Sequence, residues 1–401
     1  MSTQSSLTLL CLASYVKGHE FMRECKRQGC HVILLTIDKH AQADWPHESI
    51  DELLTLPDLA DRQSVIRAVC RRTRTRHIDR VVALEDYDVE TAATLREHLR
   101  CPGMGDTTAR YFRDKLAMRV EARDNGILVP EFVPVLNHER IHGFTQRVPP
   151  PWVLKPRSEA AASGIRRIYN AGELWAALDS LGDLQSFFVL EQYIRGDVYH
   201  VDSICYRREV LFAEAHRYAT PPLNVAHDGG LFVSSTLQRE SQDARTLRRL
   251  NREVLGALGF VRGVSHTEFI KGSDDGQFYF LETAARVGGA YLVELIQAAT
   301  GLNMWAEWAK VEVAGGDRPY ALPTYRQDYA GIIISLARQE HPDTSAYDDP
   351  EIVWRLDEKH HAGLVVMSQQ PERVQTLLEQ YGTRFYHDFF AVQPPLDKPA
   401  S

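Results

Sequence analysis

Short apolar runs alternate with segments of helical period through the first hundred residues. The apolar runs are "LTLLCLAS" (7–14), "HVILLTI" (31–37) and "RVVALED" (80–86), and the helical segments cover 17–27, 61–75 and 88–99. Buried strands that are separated by helices predict a parallel sheet with helices on both faces. No G-x-G-x-x-G sequence follows the first run, so a dinucleotide site is not predicted there. Glu85 and Asp86, at the end of the third run, are either ligand groups at the sheet edge or helix caps.

The composition excludes several classes of function. A net charge of −8 argues against nucleic-acid binding, and no apolar run approaches the roughly 20 residues that a membrane span needs. The opening "SLTLLCLASY" lacks the basic segment of a signal peptide and is better explained as a first strand. None of the six cysteines lies in a C-x-x-C pair, which is typical of reduced cysteines in the cytosol. We therefore expect a cytoplasmic protein that binds neither nucleic acid nor a membrane.

The sequence pattern of the remaining chain changes at two places. A break at "CPGMGD" (101–106) precedes a helix that we predict over 107–126, and strands, turns and helices continue beyond it. The turn sequence "GGDRP" (315–319) ends this region. Two further apolar runs and a helix predicted over 371–381 follow. We therefore expect an α/β domain at 1–105, an α+β domain at 106–317 and a small C-terminal α+β domain at 318–401.

An unusual pair of acids lies in the stretch "HTEFIKGSDDGQFYFLETAARVGG" (266–289). Two β-rich runs joined by "KGSDDG" predict an antiparallel hairpin, in which Glu268 and Glu282 lie about equally far from the turn. The two carboxylates should therefore face each other on neighbouring strands, with His266 on the same face. Such a pair either binds a cation such as Mg²⁺ together with phosphates, or is an exposed pair satisfied by Lys or Arg.

Two other stretches could hold a nucleotide. In "PPWVLKPRSEAAASGIRRIYN" (150–170), a strand ends at Lys155 and a loop of small residues leads to Ser163 and Gly164. A lysine and backbone N–H groups in this arrangement can bind phosphate, although the stretch could equally be a flexible hairpin loop. In "FFVLEQYIRG" (187–196), an apolar strand leads to a hinge whose backbone groups could pair with the edge of an adenine.

These motifs occur in an order that resembles the ATP-grasp superfamily. The order is Lys115 in "RDKLAMR", Lys155 in "VLKP", the small loop to Gly164, "EQYIRG", "HTEF" and "ETAARVGG". The resemblance covers residues 1 to about 315 in layout. It implies an ATP-grasp fold with an N-terminal Rossmann-like pre-grasp domain, so that the whole protein is an α/β and α+β multidomain chain with the small C-terminal α+β domain.

The resemblance also implies roles for single residues. It implies nucleotide contacts at Lys115, Lys155, Ser163, Gly164, Glu191, Gln192, Tyr193, Ile194, Asp197, His200 and Leu281. It implies that Glu268 and Glu282 bind Mg²⁺, which Mn²⁺ could replace, and that Arg286 meets an acyl phosphate. The motifs "GVSHTEF" and "ETAARVGG" resemble the L-amino-acid (dipeptide) ligase group, which implies substrate contacts at His266, Arg286, Gly288, Gly289, His216 and Tyr218. His227 is a further candidate in the loop that follows Tyr218.

The chain departs from the family pattern at two positions. Ala284 stands where the family often has an asparagine that binds the metal. The cation would then depend on the two glutamates, phosphate and water, with Thr283 as an indirect contributor. Val198 stands where an acidic residue often contacts the ribose, so that Asp197 or His200 would have to substitute.

The resemblance implies an ATP-dependent carboxylate–amine ligase that works through an acyl phosphate and releases ADP and phosphate. Its partners would be small-molecule carboxylates and amines, and the superfamily's frequent pre-grasp dimers leave a homodimer open. The alternatives are a purine-pathway ligase, a biotin-carboxylase-like enzyme or a non-catalytic nucleotide-binding module. The absence of Asn at position 284 is the only support for the last of these.

Overall fold

The protein is described by a computed structural model, which covers residues 6–159 and 163–391. Within these residues the strands form three sheets, one of four strands near the N-terminus, a second of four strands and a large one of eight. No helix of the described residues is long and apolar enough to cross a membrane. All six cysteines are unpaired thiols, as predicted.

The N-terminal sheet is parallel, as the alternating runs predict. It consists of β1 (Thr8–Ala13), β2 (His31–Ile37), β3 (Glu52–Leu56) and β4 (Arg80–Ala83), in the order β3-β2-β1-β4. The helices α1 (His19–Arg27), α2 (Arg62–Thr73) and α3 (Val89–Leu99) lie between or after these strands. The strand at Glu52–Leu56 was not predicted, because it is short and none of its residues is fully buried.

The second sheet is antiparallel and belongs to the middle of the chain. Its elements are α4 (Asp106–Arg110), α5 (Lys115–Asp124), β5 (Phe132–Pro134), α6 (His138–Arg147), β6 (Trp152–Pro156), β7 (Arg166–Ile168), α7 (Ala171–Leu181) and β8 (Phe188–Gln192). The strand order is β5-β8-β6-β7. The prediction of a single helix over 107–126 is wrong. Two helices form instead, because the side chain of Asp114 accepts hydrogen bonds from the N–H groups of Leu116 and Ala117 and starts α5 afresh.

The eight-stranded sheet carries most of the remaining chain. Its elements are β9 (Gly196–Tyr206), β10 (Glu209–Tyr218), α8 (Pro222–Asp228), β11 (Phe232–Thr236), α9 (Gln242–Ala257), β12 (Gly263–Gly272), β13 (Phe278–Ala284), α10 (Leu292–Thr300), α11 (Met304–Ala314), β14 (Tyr329–Leu336), β15 (Ile352–Arg355), β16 (His361–Ser368) and α12 (Pro371–Asp388). The order is β13-β12-β9-β10-β11-β14-β16-β15. Short 3-10 turns lie at Asp38–His40, His47–Ser49, Asp86–Asp88 and Gly182–Phe187.

The C-terminal segment has no sheet of its own among the described residues. Its strand β14 pairs with β11, for example at Phe232 and Ile334, and so continues the large sheet. Its helix α12 runs beyond the predicted 371–381 and packs Leu377 and Phe385 into an apolar cluster with β14 and β16. The domain boundary between residues 317 and 318 therefore stays a proposal, and the large sheet contains strands from both sides of it.

One apolar core joins the N-terminal sheet to the large sheet. Helix α11 lies against α1, and the rings of Trp308 and Phe21 meet edge to face at 5.1 Å between centroids. Burial of large aromatic side chains makes such a contact a strong anchor. The contact brings the end of β4 close to the β12–β13 hairpin, where the predicted acids lie.

Candidate active site

The predicted hairpin of two facing acids is present. Strands β12 and β13 are antiparallel, and Glu268 is paired directly with Glu282. A bulge in β13 follows the acids, because Phe269 pairs with Phe280 and Leu281 has no direct partner on β12. The side chain of Glu282 is 37% exposed and that of Glu268 17%, so both carboxylates reach a surface that a ligand could touch.

Lys115 lies against the second of these acids. Its ammonium group is 3.1 Å from Oε2 of Glu282, and it also donates a hydrogen bond of 2.7 Å to the carbonyl of Glu159. Burial favours the neutral acid, but the charges of Lys115 and Lys155 lower the pKa of Glu282 to about 2. The carboxylate is therefore ionised and available to a cation.

Lys155 lies in a buried ion cluster with Glu191 and Arg119. The Lys155 Nζ atom is 2.8 Å from Glu191 Oε2, and Arg119 Nε is 3.0 Å from Glu191 Oε1. Burial lowers the pKa of Lys155 to about 8, against the opposing effect of Glu191. The side chain of Glu191 therefore holds two cations in place and does not face a nucleobase, and its backbone lies between the paired strands β5 and β6.

Arg119 was missed by sequence reasoning. Its guanidinium is fully buried and also donates a hydrogen bond to the carbonyl of Leu281, at the bulge beside the acids. The signal that could have found it is its spacing, because Arg119 lies four residues after Lys115 in the same helix and so shares a face with it. Arg119 thereby ties the second sheet to the hairpin.

We expect the substitution Arg119→Met to destabilise the protein. The substitution leaves Glu191 with Lys155 as its single cation and removes the donor to the carbonyl of Leu281, and the loss of a partner from a buried ion cluster costs about 3 kcal/mol. The free energy of unfolding from urea denaturation should fall by that amount. Arg123→Met is the matched control, since Arg123 lies one turn further along α5 and is 55% exposed. Equal free energies for the two variants would contradict the structural role of Arg119.

Arg286 is held by an acid from the N-terminal sheet. Its Nε and Nη2 atoms lie 2.7 Å and 2.6 Å from Oδ2 of Asp86, and Nη1 donates a hydrogen bond of 2.6 Å to the carbonyl of Val287. Glu85 pairs with Lys17 at 2.5 Å and accepts a hydrogen bond from the Asp86 N–H. The neighbouring acids thus act differently, because Glu85 caps the turn after β4 while Asp86 orients Arg286.

A buried polar cluster lies behind Glu268. Tyr218 donates a hydrogen bond of 2.9 Å to Glu268 Oε1, and His266 Nε2 is 3.6 Å from the same oxygen. The other ring nitrogen of His266 is 2.9 Å from Oδ1 of Asp202, whose Oδ2 is 2.7 Å from Nδ1 of His200. Burial opposes the charged ring, but the carboxylates of Asp202 and Glu268 raise the pKa of His266 to about 9.

Two predicted ligand contacts need correction. The side chains of His200 and His216 are 0% exposed, so His200 does not face a ribose and His216 does not line a substrate surface. Both nitrogens of His200 bond within the protein, to Asp202 and to Ser234. The ring of His216 stacks on that of His200 at 4.6 Å. His200 pairs directly with both Glu268 and His216, so the two histidines lie on the same face of the sheet as the acids, but neighbouring side chains bury their rings.

Thr283 does not replace the missing asparagine. Its hydroxyl is paired with that of Thr267 at 2.8 Å, and the side chain is buried. Consecutive strand residues point to opposite faces of a sheet, so Thr283 faces away from the carboxylate of Glu282. An indirect contribution of Thr283 to the cation is therefore excluded in this arrangement.

The remaining candidates lie around the same region. Gln192 ends β8, and Tyr193 and Ile194 follow it, with the ring of Tyr193 4.6 Å from the guanidinium of Arg167. Asp197 is half-exposed and pairs with Arg217 at 2.9 Å. Gly288 and Gly289 lie in the loop after β13, just beyond Arg286. Residues 160–162 of the small loop and the side chain of His227 lie outside the described residues, whereas Ser163 and Gly164 lie at the described end of that loop, just before β7.

Comparison with known protein families decides the identity of this arrangement. The model of the ATP-grasp N-terminal domain matches residues 22–103, and that of the ATP-grasp domain matches residues 148–294. The chain belongs to the ATP-grasp superfamily. The predicted family, fold class and enzyme class, an ATP-grasp ligase, are confirmed.

Several ATP-grasp relatives resemble the chain over most of its length. The L-arginine-specific L-amino acid ligase of Bacillus subtilis is 23% identical over 73% of this chain and 72% of its own. The structure of an L-amino acid ligase from Bacillus licheniformis matches with a TM-score of 0.74 and 17% identity, covering 96% of this chain and 98% of the other. An N5-carboxyaminoimidazole synthetase from Staphylococcus aureus, complexed with ADP, matches with a TM-score of 0.71 and 13% identity, over 94% and 96%. At these identities the structural matches show the fold.

The donor set of the ATP-grasp site fits a magnesium-bound triphosphate. Glu268 and Glu282 offer only oxygen atoms, which Mg²⁺ prefers, and it completes its shell with phosphates and water. Within the described parts of the chain, the second oxygen of Glu268 accepts no hydrogen bond, because Tyr218 and His266 both address Oε1. Lys115 and Lys155 provide the positive charge that a triphosphate requires.

Proposed function

We propose that this ATP-grasp protein joins two amino acids, or amino-acid-like molecules, through an acyl phosphate. The observation that carries the proposal is the direct pairing of Glu268 with Glu282, beside Lys115 and close to Arg286. The similarity to two L-amino acid ligases supports amino acids as the substrate class.

The first step activates a carboxylate. An oxygen of the substrate carboxylate attacks the γ-phosphorus of ATP, the bond to the β–γ bridging oxygen breaks, and ADP leaves. Lys115 and Lys155 exchange their present partners, Glu282 and Glu191, for phosphate oxygens and so neutralise developing charge. Glu268 and Glu282 would hold Mg²⁺, which would further neutralise the charge of the phosphates.

The second step forms the amide bond. The amine nitrogen of the second substrate attacks the acyl carbonyl, the carbon–oxygen bond to phosphate breaks, and inorganic phosphate leaves as the amine loses a proton. Arg286 is suited to both steps because its planar fork can bind a carboxylate or an acyl phosphate in two places. Asp86 fixes the plane of that fork before substrate arrives, and positioning of this kind supplies much of the rate enhancement.

The competing functions have weaker support. Purine-pathway enzymes are similar in fold, but at 14% identity this similarity does not extend to their substrates. A biotin-carboxylase-like enzyme is not supported, because no M-K-M carrier segment occurs in the chain. A non-catalytic nucleotide-binding module would not need both glutamates, both lysines and Arg286 to converge.

The proposal is tested by a phosphate-release assay with Mg-ATP and pools of amino acids. We expect ADP and phosphate only when two amino acids are present, and a new dipeptide mass in the same tube. ATP binding without amino-acid-dependent turnover would favour the silent module instead. AMP and pyrophosphate as products would contradict an acyl phosphate.

We further propose that the protein is cytoplasmic and has domain boundaries near residues 105 and 317. Its oligomeric state is either a monomer or a homodimer. The six free thiols support a reducing compartment. Cell fractionation, limited proteolysis and light scattering test these points. Cleavage within Gly196–Tyr206 or Gly263–Gly272 in the native protein would contradict the boundaries, because those residues form inner strands of the large sheet.

A further inference from the structure

Asp202 is the centre of a rigid polar group beneath the proposed cation site. It lies on β9, is 1% exposed, and binds one imidazole with each oxygen. His200, on the same strand, is fixed at its other nitrogen by the hydroxyl of Ser234 at 2.7 Å. Gly288 covers the group so closely that a Cβ atom there would lie 3.0 Å from Asp202 Oδ1. Asp202, His200, His266 and Ser234 together form what we call the Asp202 cluster.

The Asp202 cluster reaches Glu268 along two routes. His266, held by Asp202 at Nδ1, directs Nε2 to within 3.6 Å of Glu268 Oε1. Tyr218 donates a hydrogen bond of 2.9 Å to the same oxygen, and its ring rests on that of His200 with 4.7 Å between centroids. One oxygen of Glu268 is therefore fixed by two neighbours, and the other is left for a ligand.

We propose that Asp202 and Tyr218 are positioning residues that hold Glu268 in the orientation in which its second oxygen binds the divalent cation. The inference rests on the proposed function, because it assigns an outer shell to the cation site of that function. Outer-shell partners of metal ligands fix ligand orientation, and their loss typically weakens metal binding by about 10- to 100-fold. Neither Asp202 nor the Tyr218 hydroxyl was identified from the sequence in this role.

The Asp202 cluster is better explained as an outer shell than as a second metal site. Ligand atoms of His200, Asp202 and His266 do lie within 4.8 Å of one another. However, the nitrogens that face Asp202 are already hydrogen-bonded to it, and the far nitrogen of His200 is bonded to Ser234. A metal ion would have to displace these bonds in a region closed to solvent.

The test is a titration of Mn²⁺ into the full-length protein, followed by electron paramagnetic resonance with a saturating non-hydrolysable ATP analogue. Asp202→Asn keeps the shape of the side chain but replaces one acceptor oxygen with an N–H donor. Tyr218→Phe keeps the ring and removes the hydroxyl. The matched control is Glu214→Gln, since Glu214 is equally buried at 3%, lies directly across from Asp202 on β10, and pairs with Arg239.

We expect the Mn²⁺ dissociation constant to rise about 10- to 100-fold in Asp202→Asn and about 10-fold in Tyr218→Phe. Glu214→Gln should bind Mn²⁺ as the wild type does, and all variants should bind the analogue alone equally well. Wild-type Mn²⁺ affinity in Tyr218→Phe and in soluble Asp202→Asn would overturn the inference, and Tyr218→Phe decides alone if the other variant does not fold. The inference would also be overturned if the nucleotide-free protein bound a metal ion tightly and the Asp202→Asn variant lost that metal. A wild type that binds no Mn²⁺ with the analogue would overturn the proposed function instead.

Discussion

Replacing Glu282 with glutamine should lower turnover by about 10³-fold or more. A bound divalent cation stabilises phosphoryl transfer by several kcal/mol, and each 1.4 kcal/mol corresponds to about a factor of ten in rate. The glutamine keeps the size of the side chain but removes the charge that faces Glu268 and pairs with Lys115. The measurement is kcat for phosphate release at saturating Mg-ATP and amino acids.

The control for this variant is Asp275→Asn in the turn of the same hairpin. Asp275 bonds the N–H of Gln277 and the hydroxyl of Tyr279, so its loss perturbs the hairpin at the end away from the acids. We expect near-wild-type turnover in Asp275→Asn. Near-wild-type turnover in Glu282→Gln would remove the metal assignment.

Replacing Arg286 with alanine should also abolish most activity. An arginine that stabilises the charge of a transferring phosphoryl group contributes about 10³-fold or more to kcat. Arg286→Lys should restore little of the activity. An ammonium group is a point charge and cannot make two parallel hydrogen bonds to an acyl phosphate and two more to Asp86. Single-turnover measurement of ADP formation isolates the phosphoryl-transfer step.

Arg166→Ala is the matched control for Arg286→Ala. Arg166 is an exposed residue of β7, in the second sheet, with its backbone paired to Leu154. We expect Arg166→Ala to turn over at close to the wild-type rate. Equal losses in the two variants would mean that Arg286 acts only as a general positive charge.

The parts of the site that are local in sequence could be predicted. Glu268 and Glu282 are joined by one short turn, so turn residues and the two-residue period of strands fix their pairing. The parallel N-terminal sheet was predictable because its buried strands are continuous apolar runs. The C-terminal strands were assigned to their own domain, because no local signal shows that β14 pairs with a strand about a hundred residues earlier.

The parts of the site that depend on distant contacts could not be predicted. Asp86 and Arg286 are 200 residues apart, and only the packing of the N-terminal sheet against the large sheet brings them together. The resemblance implied that His200 replaces an acidic residue at the ribose and that His216 lies in a loop over the amino-acid pocket. Both lie on the same face of the sheet as Glu268, but Asp202 and Ser234 satisfy His200, and the rings of His216 and Tyr218 lie against it and cover it.

The most direct measurement is anomalous diffraction from crystals grown with Mn²⁺ and a non-hydrolysable ATP analogue. We expect a manganese peak between the two acids, within bonding distance of an oxygen of Glu268, of Glu282 and of the terminal phosphates. Glu282 should then have released Lys115 to the phosphates. Manganese bound elsewhere, with Glu282 still paired to Lys115 and the phosphates distant from both, would contradict it.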